Sequence, residues 1–148
     1  MFDLSPTEDA IRRTARHLAE TVFATRAAGI DRDERYPSEN VETLREAGLL
    51  GMTIPRALGG RGATLMAAVV AISEIARHCA VTARIVVETN MGALGAVLAY
   101  GTEAQRRMVA GMVLAGDKPA ICISEPGAGS AATQMTTTAR RVAGGHVL

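Results

Sequence analysis

At 148 residues the chain is long enough for one domain whose folding removes roughly two-thirds of the unfolded surface from water. Hydrophobic residues at 48% and charged residues at 21% sit near the globular average, which excludes a disordered chain or a coiled coil. The 16 basic and 15 acidic residues leave a net charge of +1 with no basic field, and aromatics at 3% without Trp supply no stacking platform, so nucleic acid is not an expected partner.

The opening "MFDLSPTEDAIRR" carries acids early and lacks the apolar core of a signal peptide, which points to a cytoplasmic protein. Within it "SPTE", residues 5–8, has the form of a capping box with proline at the first helical position, so a helix starts here. Ile11, Ala15, Leu18 and Val22 mark its buried face, and Gly29 is its expected stop. After the charged "DRDERYP", Pro37 and Ser38 open a shorter helix with Val41 and Leu44 inward, ended by Gly48 with Leu49 packing back. "GMTIPRALGGRG" is loop by its proline and four glycines.

A third helix is expected from about Thr64 to Cys79, buried through Leu65, Ala68, Val69, Ile72, Ile75 and Ala76. Helix continues through "VTARIVVETNMGALGAVLAYG", where Gly92 and Gly95 would permit close helix packing. The longest uncharged stretches, 62–73 and 89–102, fall short of the roughly 18 to 20 residues of a membrane span. "TEAQ", residues 102–105, repeats the capping box, and its helix reaches Ala115 before Gly116 stops it. Cys79 and Cys122 lie in apolar surroundings without ligand spacing, and both read as buried thiols; no metal site is expected.

After "GDKP" the pattern changes. "AICIS" reads as a strand, "MTTTARRV" as another by its density of β-branched residues, and "AGGH" as a hairpin turn. The expectation is a mainly α chain: a helical domain over 1–117 and, over 118–148, the first strands of a sheet that the chain does not complete.

The loop between those strands, "ISEPGAGSAA", carries the chemistry. "GAGSAA" fits the relaxed dinucleotide pattern, but a Rossmann loop opens a helix, whereas here Thr133, Thr136, Thr137 and Thr138 follow and Pro126 precedes the first glycine. A P-loop is excluded because no Gly-Lys-Ser or Gly-Lys-Thr follows. What remains is either a ligand-free turn or a loop whose bare backbone and flanking hydroxyls, Ser124 and Ser130, let a polar cofactor approach the main chain.

"ISEPGAGSAA" resembles the signature of the acyl-CoA dehydrogenase superfamily. "YPSENVETLREAGLLGMTIPRALGGRG" is similar to that family's second helix and following loop, and "YGTEAQRRM" to its helix entry before the middle domain. The resemblance implies an N-terminal helical domain, the start of a middle β domain, FAD as cofactor, an acyl-CoA substrate, and assembly as a homotetramer or homodimer. It implies that Ser124 and the backbone of Ile123 hydrogen-bond the flavin ring, that Ile121 lies along the ring's edge, that the backbone at Gly129 approaches the cofactor, and that Ser130 lies between the FAD pyrophosphate and the acyl-CoA. The strand and the C-terminal domain that complete such a site in the family would follow Leu148, so the chain resembles roughly the first third of such an enzyme and by itself would be inactive.

The family usually has aspartate after the signature serine, where this chain has Ala131. That departure, with "AGDKPAICISEPGAGSAATQMTT" and "ARIVVETN", resembles the branch that desulfinates 3-sulfinopropanoyl-CoA to propanoyl-CoA and sulfite. Arg84 is the candidate catalytic and substrate-binding residue. Within so apolar a helix its guanidinium either snorkels to the surface or pairs with Glu88 one turn later, or, as the resemblance implies, it meets the sulfinate of the substrate. An ordinary α,β-dehydrogenase and a helical interaction module without catalysis are the alternatives.

Overall fold

The computed structural model describes residues 3–148. The Ser5 hydroxyl accepts from the Glu8 amide while Glu8 accepts from the Ser5 amide at 2.8 Å, and this box starts α1, Pro6–Leu18. The helix does not stop at Gly29. It passes through a π turn, Ala19–Phe23, into α2, Ala24–Arg32, where Ile30 is buried and carries the packing past the glycine. The wide turn also delays the apolar stripe by one residue. Ile11, Ala15, Ala19 and Phe23 are buried, and Leu18 and Val22 are only partly covered.

α3, Ser38–Glu46, buries Val41 and Leu44 and ends as its sequence predicts. Gly48 takes the left-handed conformation at φ 66°, and the Leu49 amide donates to the Leu44 carbonyl at 2.9 Å, turning Leu49 into the core. α4, Leu65–Ala76, is shorter than expected and turned differently. Ala67, Ala68, Ala71 and Ile75 are buried against α1 and α5, Ile72 is half-buried, and Leu65, Val69 and Ala76 are exposed. Small alanines let α4 approach two helices at once, and its flank of Leu65 and Val69 is exposed. Arg16 of α1 clamps the face with a two-pronged bond to Glu74, 3.0 and 2.6 Å, which holds the Glu74 carboxyl below the usual range.

α5, Ala80–Asn90, and α6, Gly92–Tyr100, are separated at Met91, whose φ of −130° and ψ of −57° break the helix. Taken as one run, Ala80–Tyr100 is 21 residues and apolar enough to cross a membrane by length and composition; nearly half of it, 44%, is buried inside the chain. It therefore fits a helix pair of the core as well as it fits a span. Gly95 faces open space and is not a packing site. α7, Glu103–Leu114, starts on the Thr102–Gln105 box and ends at Ala115, with Gly116 beyond it at positive φ.

Beyond Asp117 the strand expectation is corrected. "AICIS" forms no strand, because no neighbouring strand receives its backbone groups, and Ile121, Ile123 and Cys122 are exposed. Only Cys79 is a buried thiol. The one sheet among the described residues is a hairpin of β1, Arg140–Val142, and β2, Gly145–Val147, with Arg140 opposite Val147 across the expected turn. β1 begins later than expected because Thr136 and Thr137 are held by a side chain and not by a strand.

Candidate functional site

The loop over 119–131 leaves the helical body after Lys118 and is exposed over most of its length. A tight turn folds it: the Ala128 amide donates to the Glu125 carbonyl at 3.0 Å and Ala128 is buried. Glu125 then fixes the loop from the other side. Its carboxylate accepts from the Thr136 amide at 2.6 Å and hydroxyl at 3.0 Å, from the Thr137 amide at 3.0 Å, and from the Thr137 hydroxyl. The Thr137 hydroxyl first, and the Thr136 amide next, hold this carboxyl at about 2. Glu125 was not legible as an anchor, since the sign of it is a carboxylate with no cation nearby, eleven residues before a threonine pair whose amides would otherwise be idle.

What the turn leaves free is a row of donors. Among the described residues the amides of Ile123, Ser124, Gly129 and Ser130 donate to no protein acceptor, and both serines are exposed. A side chain at Gly127 or Gly129 would meet nothing within 4 Å, so the main chain is open to a ligand there. Idle amides, two hydroxyls and no bulk fit the polar edge and phosphates of a flavin dinucleotide.

Arg84 lies on α5 at the surface, paired with Glu88 as the spacing of the two residues allows. Its side chain is 70% exposed and pairs with Glu88, whose side chain is only 10% exposed. The acid, not the base, is inside. One turn beyond Glu88, at Gly92 where α6 begins, the side chain of Ile121 lies 3.5 Å from the position a Cβ would take, so the loop reaches the α5–α6 junction. Arg84 also lines a cavity of about 350 Å³ with Tyr36, Val81, Ile85 and Lys118. There the Lys118 ammonium sits 5.0 Å above the Tyr36 ring. Glu88, which pairs with Arg84, thus lies beside Gly92, where Ile121 also sits, while the Cβ position of Gly129 meets no atom within 4 Å.

A larger cleft, about 580 Å³, runs between the start of α1 and the N-terminus of α4. Its polar groups are already engaged: Glu8 accepts from Ser5 and from the Thr64 hydroxyl at 2.6 Å, and Arg61 donates to the carbonyl of Gly48 at 3.2 Å.

The family pattern for the acyl-CoA dehydrogenase N-terminal domain matches residues 5–117. A 3-sulfinopropanoyl-CoA desulfinase of Variovorax paradoxus is 53% identical over 141 residues, which are 95% of this chain and 35% of that protein. The mitochondrial short-chain specific acyl-CoA dehydrogenase of Bos taurus is 37% identical over 139 residues, 93% of this chain and 34% of its own. A glutaryl-CoA dehydrogenase of Mycobacterium smegmatis, solved in complex with FADH2, superimposes with a TM-score of 0.82 at 26% identity over 94% of this chain and 36% of that one. The chain spans about a third of the length of the curated relatives it matches. With most of its residues inside the family pattern and its fold shared with a solved member, the chain belongs to the acyl-CoA dehydrogenase family, whose N-terminal helical domain it carries.

Proposed function

We infer that this chain is the N-terminal part of an FAD-dependent enzyme that desulfinates 3-sulfinopropanoyl-CoA, with residues 118–148 opening its middle β domain. The observation that carries the reading is the exposed Arg84 guanidinium, paired with the buried Glu88 next to the α5–α6 junction that Ile121 of the glycine loop reaches. An ordinary fatty acyl chain has no anion to offer such a group. A sulfinate has two oxygens that a planar fork of donors fits. The higher identity to a desulfinase than to a short-chain dehydrogenase supports the same choice.

Ser124 and the Ile123 amide would hold the flavin ring, with Ile121 along its edge. Gly129 would let the backbone come close, and the Ser130 hydroxyl would face the pyrophosphate and the acyl-CoA. When bound, the flavin supplies a planar, redox-active ring beside the acyl group. The overall change is hydrolytic: the carbon–sulfur bond breaks, water gives its oxygen to sulfur and a hydrogen to carbon, and sulfite leaves without net oxidation. Arg84 would bind and orient the sulfinate before that bond breaks.

The test is sulfite release by the complete gene product and its Arg84→Gln variant at matched flavin content. Loss of one charge-assisted pair of about 2 to 4 kcal/mol corresponds to a rate loss of about 30-fold to 1000-fold. Equal rates would remove Arg84 from the site. Oxidation of a saturated acyl-CoA with no sulfite release would make the protein a dehydrogenase.

A further inference from the structure

The ion pair on α5 is asymmetric in a way that bears on how Arg84 acts. One oxygen of Glu88, Oε1, receives the Arg84 guanidinium. The other, Oε2, is buried and has no hydrogen-bond partner among the described residues. A buried carboxylate oxygen without a donor is costly, so its position needs a cause. Packing supplies one. Oε2 rests where residue 92 would carry its side chain: a Cβ there would collide with Oε2 and lie 3.3 Å from the carboxyl carbon. Ile121 of the loop closes the same spot from outside, 3.5 Å from that Cβ position. Gly92 has a negative φ, so the backbone does not demand glycine there; a side chain at 92 would instead have to displace the tip of Glu88.

We propose that Glu88 is the positioning residue for Arg84 and that Gly92 is the gap that seats it. The carboxylate is wedged between the α5–α6 junction and the loop, and it fixes the direction of a guanidinium that is otherwise exposed and free to sweep through its rotamers. The chain thus trades one unsatisfied oxygen for an arginine aimed before substrate arrives. This rests on the reading of Arg84 as the sulfinate-binding group and adds the residues that aim it.

The experiment uses the complete flavoprotein. Glu88→Gln keeps the side-chain length and one acceptor but removes the charge. The expected result is unchanged flavin content, unchanged binding of butanoyl-CoA, whose acyl chain bears no charge, read from the flavin absorbance, and a kcat for sulfite release lowered about tenfold to a hundredfold without a rise in KM, because the cation remains and only its direction is lost. Gly92→Ala should give the same kcat loss through crowding. In a Glu88→Ala background, where the crowded group is gone, Gly92→Ala should cost nothing further. Wild-type kcat in Glu88→Gln, a parallel loss of butanoyl-CoA binding or flavin, or additive effects of the two alanines would each overturn the positioning role while leaving the desulfinase reading in place. Absence of sulfite release from the wild type would end both.

Discussion

Asn90 closes α5 and should be the most sensitive polar residue near the site. It is 4% exposed, its amide nitrogen donates to the carbonyls of Leu49 and Val86 at 2.9 Å each, and its Oδ1 accepts from the Thr53 amide at 3.2 Å. Asn90→Ala strands two groups. The Leu49 carbonyl belongs to a fully buried residue and takes the full penalty, about 1 to 3 kcal/mol, whereas the Thr53 amide is half-buried and takes less, about 1 kcal/mol. The Val86 carbonyl keeps its helical bond and adds little. The total is about 2 to 4 kcal/mol. Asn90→Asp should cost at least as much, since a carboxylate would face two carbonyl oxygens. Thr53→Val, which loses only the hydroxyl bond to the Asn90 carbonyl at 2.7 Å, should cost about 1 kcal/mol. Equilibrium urea unfolding followed by circular dichroism measures all three. An Asn90→Ala cost below that of Thr53→Val would refute the accounting and the view that Asn90 ties the loop after α3 to the end of α5.

Two further predictions separate the glycine loop from the fold beneath it. Gly129→Val places its side chain in open space, so thermal stability without flavin should stay at the wild-type value while flavin occupancy of the complete protein falls; equal occupancy would make the loop a turn and no more. The Glu125 carboxyl is lowered from 4.5 to about 2, so its hold on Thr136 and Thr137 is fully present above pH 4.5 and is lost as pH falls through about 2. The amide resonances of Thr136 and Thr137 should report that titration, and a midpoint near 4.5 would show that the carboxylate is not the anchor.

The parts of this fold legible in the sequence are those decided within one helical turn. The Ser5 and Thr102 boxes need only residues three apart, and the Gly48 stop needs only a conformation that glycine adopts freely. The misreadings were decided elsewhere. Nothing local marks the π turn that moves burial from Leu18 and Val22 to Ala19 and Phe23. "AICIS" has strand composition, but a strand exists only with a partner to receive its backbone bonds. At the candidate site, the glycine loop is legible as a bare backbone flanked by hydroxyls, and the roles of its residues come from the family resemblance, whereas Glu125 as anchor and Glu88 as the buried half of the ion pair depend on contacts across eleven residues and across the α5–α6 junction. An arginine in an apolar helix and a glutamate one turn later look alike in sequence; only the rotation of the helix decides which is inside.

That rotation is itself fixed by polar groups. α4 packs through alanines and carries one buried polar residue, Glu74, held by Arg16. α5 carries more. Of the six buried polar residues among the described residues, Thr82, Glu88, Thr89 and Asn90 are on this one helix. The Thr82 hydroxyl accepts from Asn40 at 2.8 Å and meets the Cys79 sulfur at 3.0 Å, and Asn40 in turn accepts from Arg26 at 2.9 Å. At the other end Asn90 binds Leu49 and Thr53. These bonds are directional, so turning α5 by one residue would break both ends at once and leave buried groups unpaired. The helix that presents Arg84 is therefore the one whose register is locked from two sides. Apolar burial holds it in the core, and the polar bonds settle which of its faces the arginine takes.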